Sequence, residues 1–432
     1  MSEFKIAIVG AGSFVFGPSV LAGALLEHRL GEAELALVDV DRDVLDLVAS
    51  VGQRMARQAA PGARVTAHTD RAAAFDGADF VICSAAPEMR MRHKMDCDII
   101  DTFLPGHLVT EFGGIAGISY SLRQIAFITA LAADMQRRCP RAWLFTVSNP
   151  LPRVCQAAHE SGVPTVGFCS VSLSVYAMLW RILRGQAIDY PFTAAREAYE
   201  VLVAGLNHLS WLLEVRDRAT RADLMPTLHK KLEDGISSGN PRAETIARET
   251  GYLLATTDNH TRDFLRPAGE VGPRYDVWHG TPEERERRLA VLRDVAEGKA
   301  SWDELLRQAS WEKPIDLVAA MARGGTVHFD SLNLVNRGQI PNLPDGLFVE
   351  TPADGSPQGP LPQTVRLPEI ILPYCRRTAQ VTDLIVHAGL ERSRRLVEKA
   401  VELDPTILNK SAGKRAIDAC LDLHADVLGP YA

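Results

Sequence analysis

The chain has 432 residues, of which 46% are hydrophobic and 23% charged, with a formal net charge of −7. That length suits two domains with a sizeable core, and the composition is that of a globular protein. Both charge signs are spread along the chain without a basic block, and the apolar runs are short and interrupted, so neither a nucleic-acid nor a membrane partner is expected.

The N-terminal MSEFKIAIVGAG lacks the charged start, apolar stretch and small-residue cleavage site of a secretory signal. Seven cysteines fall at irregular spacing with no C-x-x-C pair. Reduced thiols in a cytoplasmic protein are the expectation.

FKIAIV (4–9) reads as a buried parallel strand ending at Gly10. Val20, Leu21, Ala24 and Leu25 give helical spacing over 14–28, and ELALV (34–38) is a second strand closed by Asp39. Asp41 to Arg57 reads as an amphipathic helix, Val65-Thr66 as a third strand and FVICSA (80–85) as a fourth. A helix around 120–138 precedes a fifth strand, AWLFTVSNP (142–150), and TVGFCS (165–170) is a sixth. Strands alternating with helices define the α/β class and predict a Rossmann-type, doubly wound parallel sheet.

The pattern changes after about residue 190. Residues 201–215 read as strand, turn, strand; 220–310 are charged and helical; 328–351 are strands joined by a Pro/Gly turn. Residues 352–366 form a Pro/Gly-rich connection and the tail from Leu367 is helical. The expected division is a dinucleotide-binding domain over 1–190 and an α+β domain for substrate binding and oligomerisation over 191–432.

Gly10-Ala11-Gly12-Ser13, followed by Phe14, stands where the first strand turns into a helix. Glycine is needed where the backbone turns sharply and approaches a pyrophosphate, and helix N–H groups then face the phosphates. Asp39 is placed to accept the ribose hydroxyls and to repel the extra phosphate of NADP, which favours NAD. Val15 replaces the usual third glycine; a tight turn without a ligand is the alternative.

Ligands in open α/β sheets sit beyond the carboxyl ends of strands. There Asn149 reads either as a substrate-binding amide or as a turn residue before Pro150. Cys169 and His208 are either packed core residues or the thiolate and imidazole ligands of one divalent ion, with Asn207 beside them as a substrate contact. Asp258 and His260, two apart on a segment read as extended, would share one face and could act as acid and base; a capped polar loop is the alternative. Arg90, Arg92, His93 and Lys94 form either a solvated helix start or a cationic mouth suited to an anionic substrate. The Gly-rich EFGGIAG (111–117) would let backbone approach a ligand, or serve flexible packing.

In this order, GAGSFVF, LVDVD, SNP, GFC, AGLNHLSW, DNHTRDFLRP, NRGQIPNLPDGLFVETP and LPEIILPYCRRTAQVTDLIVHA resemble the NAD-dependent glycosidases of glycoside hydrolase family four, from near residue 5 to near residue 405. Malate- and lactate-type dehydrogenases share the first domain but not the later segments. The resemblance implies that NAD⁺ takes hydride from C3 of a sugar glycoside and the resulting ketone acidifies the C2 proton. A base removes that proton with the help of a divalent ion, commonly Mn²⁺. The leaving group then departs from C1, water adds, and the hydride returns.

By the same resemblance Gly10, Gly12, Ser13 and Asp39 hold NAD, Asn149 contacts substrate, and Cys169 and His208 bind the metal. Asp258 is the leading base, supported by His260, with Tyr252 a weaker candidate. It also implies a homodimer or homotetramer. Ser170 stands where relatives often have His, Asp or Asn, and EFGGIAG departs from the usual Thr/Gly-rich loop. A diverged branch acting on an anionic sugar is therefore expected, as in sulfoquinovosides or glycuronides, with Arg90 and Arg92 as contacts. The alternatives are an NAD-dependent sugar or hydroxy-acid dehydrogenase and a non-catalytic nucleotide sensor.

Overall fold

The computed structural model describes residues 3–107, 109–265, 281–307 and 310–432. FKIAIV forms β1 (Phe4–Val9), whose last four residues are buried, as befits a strand covered on both faces. Parallel to it run β2 (Ala33–Val38), β3 (Arg64–His68), β4 (Phe80–Cys83), β5 (Trp143–Thr146) and β6 (Thr165–Gly167). Their order, β3-β2-β1-β4-β5-β6, opens a crevice at the carboxyl ends of β1 and β4, where the order reverses.

The sheet continues beyond β6. The later strands are β7 (Tyr199–Leu206), β8 (Leu209–Asp217), β9 (Leu253–Leu254), β10 (Val327–Val335), β11 (Phe348–Ser356) and β12 (Gly359–Pro362). β10 pairs antiparallel with β6 through Asn333 opposite Gly167, and β11, β7, β8 and β9 follow. A Cβ on Gly167 would lie 2.7 Å from Cys155 Sγ and 3.0 Å from the Asn333 Cβ, so glycine is what admits β10. The boundary expected near residue 190 therefore coincides with no break in the sheet.

The helix Arg42–Ala59 starts where Asp41 accepts a bond from the Val44 amide, and it buries Val44, Leu45, Val48 and Val51 on one side. The apolar helix Gly114–Arg138 lies mostly buried, with Ile118, Leu122, Ile125 and Leu131 in the core. The C-terminal helices Leu372–Glu391, Arg394–Leu403 and Lys410–Leu423 pack on that helix, so the tail completes the core of the first half.

Three expectations change in detail. The helix read over 14–28 begins at Phe16 and passes into a π-helical stretch, Gly23–Glu27. The connection 352–366 is largely strand, because β11 runs to Ser356 and turns into β12. The helical span 220–310 contains Met225–Glu233, Pro241–Thr250, Asp258–Thr261, Pro282–Glu297 and Asp303–Leu306; its residues 266–280 and 308–309 lie outside the described residues.

Candidate active site

The glycine turn lies directly beyond β1. Asp39, at the end of β2, accepts from the Gly12 amide at 2.8 Å with Oδ2 and from the Asp41 amide at 3.1 Å with Oδ1. A Cβ on Gly12 would sit 2.7 Å from Asp39 Oδ2, so this acid and a bare backbone require each other. Each carboxylate oxygen keeps a second lone pair for a ribose hydroxyl. Ser13 Oγ accepts from the Phe16 amide at 3.2 Å, and the Arg285 guanidinium covers the Phe14 ring at 5.6 Å. The Val15 carbonyl accepts from the Ser310 amide at 3.0 Å, so the residue in place of a third glycine ties the turn to a loop of the second half.

Cys169 lies just past β6, and His208 closes the β7–β8 hairpin, where Leu206 pairs with Leu209. His208 has φ 62°, a left-handed conformation normally left to Gly or Asn. That costs about 1–2 kcal/mol, and such strain is retained where a side chain must be aimed. It brings His208 Nε2 to 3.3 Å from Cys169 Sγ. Two such ligands on one divalent ion stand about 3.1–3.6 Å apart for bond lengths near 2.1 and 2.3 Å. Burial holds the His208 imidazole well below its ordinary value, aided by His260. Burial also pushes the Cys169 thiol well up, with Glu350 and Glu312 adding to it. His208 Nδ1 and Glu111 Oε1 are buried without a hydrogen-bond partner. A neutral imidazole whose Nε2 faces a thiol that ionises only against positive charge fits a divalent cation between the two.

Two further groups close on His208. The His260 ring stands 4.0 Å from the His208 ring, and Phe112 packs on it at 4.5 Å. Glu111, His208 and His260 bring one ligand atom each within 4.8 Å of one another. His260 Nδ1 lies 3.3 Å from Asp263 Oδ2, and Asp263 Oδ1 accepts from the Phe112 amide at 3.1 Å. Burial alone would lower His260; Asp263 and Glu111 outweigh it and hold the ring above its ordinary value. Burial drives Glu111 up to about 7, opposed in part by His260 and the Asn149 amide.

The other expected residues fall as follows. Asp258 is the first residue of a short helix capped by Thr257, not part of an extended segment, and it pairs with Arg242. His260, two residues on, points into the cluster from the same helix. Tyr252 packs at the edge of the second-half core. Asn207 donates to Glu350 Oε2 at 3.0 Å, which Asn333 also reaches at 3.2 Å. Arg92 is 5% exposed and its donors go to Glu88, Asp426 and His424, which takes it out of any ligand site. Arg90 faces the cleft over the glycine turn. Ser170 gives both its amide (3.0 Å) and its hydroxyl (2.7 Å) to Glu312 Oε1.

Glu111, Asp263, Glu312 and Glu350 are site groups that the residue-by-residue reading passed over. Glu111 opens the Gly-rich segment noted for its backbone, and Asp263 lies three residues after His260, so a glance at helical spacing would have found it.

A doubly wound sheet with a braced glycine turn, carrying a thiol–imidazole pair at its strand ends, defines an α/β enzyme of the dinucleotide-fold class. Residues 5–184 match the family 4 glycosyl hydrolase model and residues 203–407 its C-terminal domain. The chain belongs to glycosyl hydrolase family 4. It is 24% identical to an α-galactosidase of Bacillus subtilis (strain 168) over 99% of both chains. It is 25% identical to a maltose-6′-phosphate glucosidase of the same organism, over 98% of this chain and 96% of that one. A 6-phospho-α-glucosidase from gut microorganisms, solved with NAD and Mn²⁺, shares the fold over 100% of both chains, with a TM-score of 0.78 at 20% identity.

Proposed function

We propose that this protein is an NAD-dependent glycoside hydrolase acting on a sugar placed between the glycine-turn cleft and the Cys169–His208 pair. The support is one convergence: Glu111, His208 and His260 within 4.8 Å, with Cys169 3.3 Å from His208, in a chain of this family. When bound, the dinucleotide supplies a hydride acceptor for sugar C3 and the divalent ion, Mn²⁺ in the gut 6-phospho-α-glucosidase, supplies positive charge beside C2.

Asp39 would take the ribose hydroxyls while it keeps the Gly12 amide turned inward. Cys169 and His208 would hold the ion, since the imidazole is already neutral and the thiol is the group a cation ionises. His260 takes the C2 proton. Asp263 holds its Nδ1–H, which leaves the ring's other nitrogen to accept, and the raised basicity suits that step. Asp258, paired with Arg242, is then a support of the short helix. Asn149 and Asn207 would orient sugar hydroxyls.

The anionic substituent expected from Arg90 and Arg92 loses its residue basis, because Arg92 is buried in ion pairs and Arg90 faces the nucleotide cleft. Glu350 and Glu312 act on Cys169, and Glu111 stands by His208. With the residue basis for an anion gone, the substrate is read as a neutral glycoside, as an α-galactoside would be.

Hydrolysis in D₂O tests the chemistry. Deuterium at C2 of the released sugar is expected; a product without it contradicts the mechanism. A panel of neutral and 6-phosphorylated or uronic aryl glycosides, run alongside, separates the substrate classes.

A further inference from the structure

Two cavities, of about 640 and 1100 Å³, share Gly12, Ser13, Ser84, Ala86 and Glu88, and so form one cleft over the glycine turn. The smaller is bounded by Asp39, Val40 and Asp70, the end at which this fold takes an adenosine. The larger passes Ser13 and runs between the helices Met89–Phe103 and Pro282–Glu297. The second of these comes from the far half of the chain and lies across the cleft as a wall.

Cations line both walls. On Pro282–Glu297, Arg285 bonds Asp41 at 3.1 Å and covers Phe14, while Arg288 bonds Glu284 at 2.7 Å and lines the cavity. On Met89–Phe103, Lys94 pairs with Asp98, and Glu88 is taken by Arg92. Arg90 is exposed, lines the same cavity and makes no ion pair among the described residues. Glu284, Asp98 and Glu88 thus have close partners, whereas Arg90 feels Glu283 across the cleft without an ion pair to it and keeps its donors toward the cavity.

We propose that Arg90 and Arg288 close from opposite walls on the diphosphate bridge of the dinucleotide. The inference rests on the coenzyme reading above. The glycine turn offers backbone N–H groups only to the inner face of that bridge. Guanidinium forks supply matching donors to its outer oxygens, with bidentate geometry a lysine cannot give. The cluster read from sequence as a substrate mouth becomes, through Arg90, a coenzyme clamp, and the second half of the chain contributes to dinucleotide binding through Arg288.

Calorimetric titration of wild type, Arg90→Ala, Arg288→Ala and Arg90→Lys with NAD⁺, ADP-ribose and adenosine tests this. Both alanine variants should bind NAD⁺ and ADP-ribose about 10-fold more weakly, since one charge-assisted contact is worth about 1.4 kcal/mol. Adenosine affinity should not change, and Arg90→Lys should fall between wild type and Arg90→Ala. Added salt should shrink the differences. Undiminished ADP-ribose affinity overturns the clamp, and so does an equal loss for adenosine. A wild-type protein that binds no NAD⁺ would instead sink the coenzyme reading on which the clamp depends.

Discussion

At His208 a strained backbone, a neutral ring and a neighbouring thiol meet in one residue. Its positive φ fixes where the imidazole points, so Cys169 and His260 can approach it from other segments. Removing the sulfur should therefore weaken the ion without moving the ring. Cys169→Ser is expected to lower Mn²⁺ affinity by more than about 10-fold in calorimetric titration, with the circular dichroism spectrum unchanged. The identity of the base is decided at the same scale. His260→Gln should cut C2 proton exchange by about 10²–10⁴-fold and leave NAD⁺ affinity intact. Asp258→Asn should keep exchange within a few-fold of wild type, because its carboxylate serves Arg242. The reverse ranking would return the base to Asp258.

Among elements, the glycine turn is the most tightly specified. Gly12→Ala puts a methyl group 2.7 Å from Asp39 Oδ2 and must displace the acid or the turn. NAD⁺ affinity should fall, as read by fluorescence titration, in a protein that stays folded because Asp39 stands half-buried at the carboxyl end of β2, outside the core. Strands β1, β2 and β4 were legible because two-face burial writes them as nearly continuous apolar runs, broken only by Lys5 and Glu34, with Phe4–Val9 read to the residue. The hairpin that carries Asn207 and His208 was legible as two apolar stretches on either side of a polar pair. β12, with Pro360 and Pro362, read as connection because proline marks turns as well as edge strands. The Asp258–Thr261 helix was missed because four residues cannot show a period, and its start rests on the Thr257 cap. Cys169, His208 and His260 could be picked out singly. Their meeting depends on a left-handed hairpin turn and on β10 passing Gly167, neither of which leaves a local pattern.

Across the whole molecule, the tail is bolted to the first half by a buried ionic cluster. Asp96, fully buried, accepts from Ser119, from Arg123 at 2.8 Å and from His424 at 2.8 Å, while Arg92 joins His424 and Asp426. Asp96→Ala leaves Arg123 buried and unpaired, and should cost about 3–5 kcal/mol in thermal or denaturant unfolding. Burial raises the Asp96 carboxyl, but His424 and Arg123 outweigh it and hold the group below its ordinary 3.8. A depressed carboxyl stabilises the fold above its unfolded value and loses that contribution as pH falls through the folded one. Wild type should accordingly lose stability below about pH 4 more steeply than Asp96→Asn, measured as Tm against pH. Equal slopes would remove Asp96 from the acid response.

The same molecule must carry both a redox step and a hydrolysis, and a count of products distinguishes that from simple oxidation. The protein is incubated with excess aryl glycoside and a small, known amount of NAD⁺, and released aglycone and accumulated NADH are followed together. Many glycosides cleaved per NAD⁺ with no net NADH is the predicted result. One NADH formed for each sugar consumed, with the aglycone still attached, would contradict the account.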